Sequence, residues 1–237
     1  MRPARARRVV LGPRPQRLRR ALPLRSGAAW LIATVGRPDP FAWDGSHLAG
    51  NEPFPGLALH IVGHQISIPA ALTIFGRLGD VAGARPPSAR TVARLDLPPL
   101  RAPWGSPRPR HGSLHELAAG VESGAVDLYG LRDRDDPDAI GVPSSLRGVG
   151  PWSAQLSLIH QLHRRDVLPA GDIGIRNAIH RVYCLPELPS EPDVSARASA
   201  WAPHRSYAAT RLRGCGHLPR SGSPLRPDTP GSGARDR

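Results

Sequence analysis

Lysine is absent from this 237-residue sequence, so all 32 residues counted as lysine or arginine are arginines. The absence excludes a lysine nucleophile and every reaction that proceeds through a lysine Schiff base. Acidic side chains number only 19, and the resulting net charge of +13 favours an anionic partner such as a nucleic acid. A GC-rich coding bias explains the arginine abundance equally well, so charge alone does not decide the partner.

Cysteine is also scarce, since Cys184 and Cys215 are the only two. Two cysteines cannot build a disulfide framework, a four-cysteine zinc site or an iron–sulfur cluster. The ten histidines show no ligand spacing, so we expect no metal site. No apolar run approaches the roughly 20 residues that cross a bilayer, and the run over 28–35 is too short for a signal peptide. These absences predict a cytoplasmic protein without a membrane segment.

Composition divides the chain into three parts. Residues 1–40 are rich in Arg and Pro without a sustained period, which predicts a disordered basic arm. Such an arm either adds non-specific affinity for an anionic polymer or has no role. Residues 41–213 hold the regularly spaced apolar residues and are expected to form the folded domain. Residues 214–237 return to Gly, Ser, Pro and Arg, which predicts a disordered tail.

The apolar residues of the central part recur at helical spacing, and no alternating strand pattern is convincing, so the predicted fold is mainly α. Ser67 and Asp172 are expected to cap helices, with Pro69 in the first turn of the helix that Ser67 begins. Residues 84–112 are expected to be mostly irregular, because they hold many Pro, Gly and Arg residues. The other predicted helices cover 54–63, 113–121, 135–140, 152–163, 195–201 and 204–212.

A short glycine-containing segment is the clearest local signal. Residues 145–154 read Ser-Leu-Arg-Gly-Val-Gly-Pro-Trp-Ser-Ala and predict a tight hairpin between two helical segments. Gly148 and Gly150 are both expected to adopt backbone angles that side chains forbid, and to let a phosphate approach the main chain. Free amides at the positive end of the following helix can bind that phosphate. Carbonyls of the same turn are candidates for holding a monovalent cation that bridges to the phosphate.

Four segments, in order along the chain, resemble the helix-hairpin-helix DNA glycosylases, and most closely the DNA-3-methyladenine glycosylase II family. Residues 61–67 are similar to its Ile-Val-Gly-Gln-Gln-Ile-Ser signature, and 146–154 to its Leu-Pro-Gly-Ile-Gly-Pro-Trp-Thr-Ala hairpin. Residues 165–176 are similar to the segment with the catalytic aspartate, and 201–209 to a closing Trp-x-Pro-x-Arg-Ser-Tyr-Ala helix. The resemblance implies a helix-hairpin-helix glycosylase fold with two helical lobes.

The resemblance makes Asp172 the catalytic residue. Breaking an N-glycosidic bond builds positive charge on the deoxyribose, which a carboxylate can stabilise while it orients the attacking water. Trp152 stands where lysine-using relatives carry their nucleophile, which implies a monofunctional enzyme. Its indole is a candidate stacking surface for a flipped, electron-poor base, with core packing as the alternative. The resemblance also places His204 and Tyr207 near the base.

The DNA contacts that the resemblance implies come from two loops. Gln65 falls where the family places a side chain near the gap that the flipped nucleotide leaves. The alternative is that Gln65 makes only an ordinary contact within its loop. His64 departs from the family's signature, which has glutamine there. The remaining expected DNA contacts all lie in the hairpin and the first turn after it: Arg147, Gly148, Val149, Gly150 and Ser153.

Together, these features predict a monomeric glycosylase that removes alkylated purines of the 3-methyladenine type from double-stranded DNA in base excision repair. No cofactor is expected beyond the monovalent cation, and the expected location is the cytoplasm of a bacterium, with its nucleoid. Two alternatives stay open. One is a non-catalytic helix-hairpin-helix DNA-binding protein derived from a glycosylase, and the other is a glycosylase for oxidised or mismatched bases.

Overall fold

The computed structural model describes residues 35–36, 38–96, 110–183 and 185–216. Helices and turns account for the regular structure of these ranges, which contain no strand, so the predicted mainly α fold is confirmed. Most of the predicted basic arm, the tail beyond residue 216 and the central part of the predicted irregular segment lie outside the described residues. Within the described ranges, no helix is long and apolar enough to cross a membrane.

The helices fall into a group before the hairpin and a group after it. The first group is α1 (Ser46–Ala49), α2 (Pro53–Gly63), α3 (Ile68–Ala82), α4 (Ala89–Ala93), α5 (Arg110–Glu122) and α6 (Asp136–Ser144). The second group is α7 (Pro151–His160), α8 (Ile173–Val182), α9 (Glu191–Ala198) and α10 (Arg205–Gly216). Single 3-10 turns cover Gly130–Asp133 and Ser199–Trp201.

The predicted helix starts agree with the structure where a side chain caps the helix. The Ser67 hydroxyl accepts the Ala70 amide at 3.4 Å, and a proline occupies the first turn of α3. The Asp172 carboxylate accepts the amides of Gly174 and Ile175 at the start of α8. These contacts are local, because each joins residues two or three positions apart, and the sequence therefore predicts them well.

The region before the hairpin differs from the predictions in two details. Two stretches of the segment 84–112, which is expected to be mostly irregular, are helical: Ser88 and Thr91 form a reciprocal capping box that starts α4, and α5 already begins at Arg110. The helix expected over 135–140 continues as α6 through Pro143 to Ser144. Pro143 lies near the end of this helix, where one missing N–H removes only one bond, and its buried ring adds packing.

Two separate hydrophobic cores confirm the two helical lobes. The first core draws on helices α2 to α7 and includes Leu57, Phe75, Leu117 and Leu158, all at most 2% exposed. The second core lies among α8, α9 and α10. The chain passes from one core to the next between Val167 and Leu168, so the lobes meet just before Asp172.

The second lobe extends beyond the predicted boundaries at both ends. Helix α10 continues past residue 213 through Gly216, and the Cys215 side chain is only 3% exposed. Val35, placed in the arm by composition, packs against this core. A Cβ on Gly214 would lie 2.8 Å from a methyl of Val35. The glycine that suggested a helix end therefore permits the close approach of the N-terminal segment.

Helix α10 is fastened to the segment between the lobes. Arg205 donates from Nε and Nη2 to the two carboxylate oxygens of Asp166, each at 2.8 Å. These hydrogen bonds lower the pKa of Asp166 from its ordinary value. The fully buried Ser206 hydroxyl accepts the Val167 amide and donates to the Arg164 carbonyl. This anchoring fixes the face of α10 that looks toward Asp172.

Candidate active site

The hairpin between α6 and α7 has one glycine that its shape requires. Gly148 adopts φ +80°, in the left-handed region that disfavours side chains. A Cβ at this position would also collide with the Ser113 hydroxyl on α5. The Val149 amide closes the turn by donating to the Leu146 carbonyl at 3.1 Å. The predicted hairpin is therefore present, and Gly148 has the role expected of it.

Gly150 does not match the expectation of a special backbone angle. It caps α7 with φ −86° and ψ 165°, which any residue can adopt, and a Cβ there would meet no atom within 4 Å. Neither backbone strain nor packing requires glycine at this position. The space above Gly150 is open, which leaves room for a ligand to approach the main chain.

The five residues expected to hold DNA at the hairpin divide into two sets. Arg147 is exposed, and the amides of Gly148 and Gly150 donate to no other described residue. The other two are enclosed: Val149 is 3% exposed and Ser153 is 4% exposed, so their side chains belong to the interior, and their expected contact with DNA stays a prediction. Their amides already donate to the carbonyls of Leu146 and Gly150.

Asp172 lies at the start of α8 with 7% of its surface exposed. Its Oδ1 accepts the amides of Gly174 at 2.7 Å and Ile175 at 3.1 Å. Its Oδ2 accepts the indole N–H of Trp152 at 2.8 Å. A buried carboxylate held by several donors presents a fixed negative charge, which suits the stabilisation of a developing cation.

Trp152 joins the hairpin helix to the acid. It lies in the first turn of α7 and is partly buried, with its N–H pointing at Asp172. Its ring contacts the imidazole of His64 at a centroid distance of 5.4 Å, with the planes tilted by 42°. The expected base-stacking role is untested by this arrangement, while the hydrogen bond to Asp172 is a contact that the sequence did not predict.

Arg213 is a site residue that the sequence interpretation missed. Its Nη1 lies 3.9 Å from Oδ2 of Asp172, and its side chain is 32% exposed. The residue occupies the last turn of α10, next to Gly214, where composition suggested the end of the fold. No local motif marks it, because the contact joins residues that only the packing of α10 on α8 brings together.

Gln65 lies in the loop between α2 and α3, beside the residue that contacts Trp152. It is exposed and adopts φ +61°, an unusual angle for a residue with a side chain. Strained backbone angles concentrate where a loop presents a side chain for a purpose. The expected place of Gln65 near the gap that a flipped nucleotide leaves stays a prediction.

His204 and Tyr207 belong to an aromatic group that the described contacts do not connect to Asp172. The two rings meet edge to face at 6.0 Å, and Tyr207 also meets Phe41 edge to face at 5.9 Å. Phe41 in turn lies 4.8 Å from the ring of His163. Both residues therefore line the junction between α10 and the N-terminal segment, and their expected contact with a base stays a prediction.

A pair of histidines lies between α2 and α7, with His60 buried and His160 partly buried. His60 Nε2 and His160 Nδ1 are 3.3 Å apart, and Trp43 stacks on His160 at 5.0 Å with nearly parallel planes. Burial lowers the pKa of His160 to about 3, assisted by the positive charge of Arg213. Burial also lowers the pKa of His60 well below its ordinary value, assisted by His160 and then Arg213. Both rings therefore stay neutral at physiological pH.

These two histidines predict an acid-sensitive fold. The unfolded chain binds a proton at each ring near pH 6.5, whereas the folded chain does so only at much lower pH, so stability falls as the pH drops below about 6.5. For His160 alone, the loss between neutral pH and pH 5 is about 2 kcal/mol. Urea unfolding at pH 7.5 and pH 5 measures it.

His160→Phe is the matched variant, because it keeps a ring against Trp43 but cannot bind a proton. We expect its free energy of unfolding to depend less on pH over this range than that of the parent. Equal stability of the parent at the two pH values would contradict the assignment of two buried neutral rings.

No group of three or more His, Cys, Asp or Glu side chains is placed to hold a metal ion in the part of the chain that the structure describes. The functional groups at the site are therefore the buried carboxylate of Asp172, the indole of Trp152, the guanidinium of Arg213 and two hairpin amides. They suit a reaction in which positive charge develops on a ligand whose phosphate is held by the hairpin.

Comparison with known proteins gives a consistent set of relatives. DNA-3-methyladenine glycosylase 1 of Schizosaccharomyces pombe is 29% identical over 178 residues, which cover 74% of this chain and 78% of that protein. No model of a known protein family matches the chain.

Two solved structures share the fold. The S. pombe 3-methyladenine DNA glycosylase in complex with abasic DNA superposes with a TM-score of 0.71 and 26% identity, covering 80% of this chain and 91% of that one. A DNA-3-methyladenine glycosidase of Bacillus halodurans superposes with a TM-score of 0.61 and 27% identity, covering 70% and 76%.

Proposed function

This chain belongs to the helix-hairpin-helix DNA glycosylase superfamily, and we propose that it removes alkylated purines of the 3-methyladenine type from double-stranded DNA. The single observation that carries the proposal is Asp172, a buried carboxylate fixed by three hydrogen bonds directly after the segment that joins the lobes. A module that only binds DNA does not need a buried acid in this place.

The reaction follows from the position of this charge. The target nucleotide leaves the helix, because its glycosidic bond is out of reach inside the duplex. As the bond to the base lengthens, positive charge builds on the deoxyribose, and the Asp172 carboxylate stabilises it and orients the attacking water. Alkylated purines suit this mechanism, since a base that already carries positive charge is a good leaving group.

The absence of lysine decides the product. Without a lysine, no Schiff base can form between a lysine side chain of this protein and the sugar, and that route to strand cleavage is closed. The product of the proposed reaction is an abasic site in an intact strand, which a later enzyme of base excision repair processes.

The hairpin supplies the grip on DNA in this proposal. The free amides of Gly148 and Gly150 bind a phosphate, with Arg147 beside them. A monovalent cation on the hairpin carbonyls is compatible with the donor set, since the Leu146 oxygen that accepts Val149 keeps a second lone pair. We further propose that the protein acts as a monomer and in the cytoplasm of a bacterial cell.

Product analysis tests the proposal. Duplex oligonucleotides with one 3-methyladenine or 7-methylguanine are incubated with the chain, beside duplexes that hold 8-oxoguanine or no lesion. We expect release of the free methylated base, and strand breaks only after alkali treatment. Release of 8-oxoguanine instead would move the activity to oxidised bases, and strand breaks without alkali would contradict a monofunctional enzyme.

Arg147→Gln tests the hairpin as a phosphate contact. Each phosphate neutralised by a cationic side chain adds about −0.9 to the slope of log affinity against log salt, so this variant should reduce the magnitude of the slope by about 1. Arg90→Gln is the matched control, because Arg90 pairs with Glu122 at the far end of α5 from Ser113. Equal slopes for Arg147→Gln and the parent would exclude this contact.

A further inference from the structure

Asp172 acts only if its carboxylate keeps one orientation, and two neighbours are placed to fix it. We propose that Trp152 and Arg213 are positioning residues for Asp172, and that Trp152 contributes its N–H edge rather than its ring face. The inference rests on the proposed glycosylase function and names the residues that orient the acid. The base stacking expected of the Trp152 ring stays a separate prediction.

The two oxygens of the Asp172 carboxylate accept hydrogen bonds from different partners. Oδ1 is tied to its own helix by the amides of Gly174 and Ile175. That attachment alone leaves the direction of Oδ2 weakly defined, because a single oxygen anchors the group. The 2.8 Å bond from the Trp152 indole anchors Oδ2 as well, so the plane of the carboxylate is fixed.

The indole is itself held in place. Trp152 begins α7 directly after the hairpin, and its ring rests against His64. Because Trp152 directly follows the hairpin, its N–H holds the Asp172 carboxylate at a fixed position relative to the hairpin and to the phosphate proposed to bind there. The N–H edge of the indole is occupied by the hydrogen bond to Asp172, and the His64 ring lies against the indole. A stacked base would use a face of the ring and would leave that edge in place.

Arg213 acts on the same oxygen from the other lobe. Its guanidinium lies 3.9 Å from Oδ2, which is too long for a strong hydrogen bond but close enough for charge attraction. A buried carboxylate needs a compensating charge, and Arg213 supplies it from the last turn of α10. The acid is thus aligned by one residue from each lobe.

Trp152→Phe distinguishes hydrogen bonding by the indole N–H from stacking by the ring, since it keeps an aromatic ring and removes the donor. We expect the single-turnover rate of base release to fall at least tenfold, with duplex affinity changed less than threefold. Trp201→Phe is the matched control, because Trp201 packs against the second core and is not among the donors to Asp172, and it should keep the parent rate. A parent-like rate in Trp152→Phe, or a loss confined to affinity, would overturn the proposal.

Arg213→Gln and Arg213→Lys test the second contact. The glutamine variant should lower the rate severalfold at unchanged duplex affinity, and the lysine variant should restore most of it by restoring the charge. Thermal unfolding checks that both variants are folded. Equal loss in both variants would show that charge at this position does not align the acid.

A spectroscopic measurement keeps the inference testable even if no base is released. The Trp152 indole N–H resonance is identified by its disappearance in Trp152→Phe. We expect it to shift in Asp172→Asn, while the indole signals of other tryptophans stay in place. An unchanged resonance would overturn the hydrogen bond and with it this inference, whereas a parent chain that releases no base would overturn the proposed function alone.

Discussion

Asp172→Asn is expected to lower the single-turnover rate of base release at least a hundredfold, at saturating enzyme, while duplex affinity stays within threefold of the parent. The substitution keeps the size of the side chain and an oxygen for the amides of Gly174 and Ile175, so α8 remains capped. What disappears is the negative charge that stabilises the cationic transition state, together with the oxygen that accepts the Trp152 N–H. Such electrostatic contributions are typically worth about 10²–10³ in rate.

Asp138→Asn controls for the loss of an acid in general. Asp138 is exposed in the first turn of α6, where its amide donates to Asp135. We expect parent-like rates in this variant, and a free energy of unfolding within about 1 kcal/mol of the parent in both. Parent-like base release by Asp172→Asn would remove Asp172 from its assigned role.

The second large effect concerns the two hairpin glycines. Replacing Gly148 should mainly lower stability, whereas replacing Gly150 should lower only the affinity for duplex DNA. Gly148→Ala places a side chain at φ +80° and against Ser113, so we expect a stability loss of about 2 kcal/mol and weakened DNA binding. Gly150→Ala introduces no strain and no collision inside the protein. Its stability should stay within about 0.5 kcal/mol of the parent, while the methyl group obstructs the phosphate and lowers duplex affinity about tenfold.

Urea unfolding and duplex titration of the two variants measure this contrast. Adding Ser113→Ala to Gly148→Ala should recover part of the lost stability, because it removes the hydroxyl but not the backbone strain. If Gly150→Ala lost stability but bound DNA normally, the open space above Gly150 would not be a phosphate site.

The parts of the site that sequence predicts are those built from neighbouring residues. The hairpin shape depends on Gly148 and on a bond between Leu146 and Val149, and the capping by Asp172 depends on the next three residues. Such contacts join residues that are close along the chain, so they depend little on how the helices pack. The sequence therefore predicts the hairpin turn and the capping aspartate before any packing is known.

The contacts that sequence reasoning misses join distant parts of the chain. The approach of Arg213 to Asp172 requires α10 to pack on α8, and the His60–His160 pair requires α2 to pack on α7. The same packing decides which side chains of a motif are buried. Val149 lies in the hairpin, and its side chain packs into the first core. The composition of a segment does not show which of its side chains are buried.

Binding and base release, followed together in one sample, give the sharpest test of whether the protein is a glycosylase. The chain is mixed with a duplex that holds one alkylated purine, and bound DNA and free base are quantified over the same time course. We expect the base to be released far faster than it is lost spontaneously, while the bound strand remains intact. Tight binding with release no faster than the spontaneous rate would contradict it and leave a DNA-binding module.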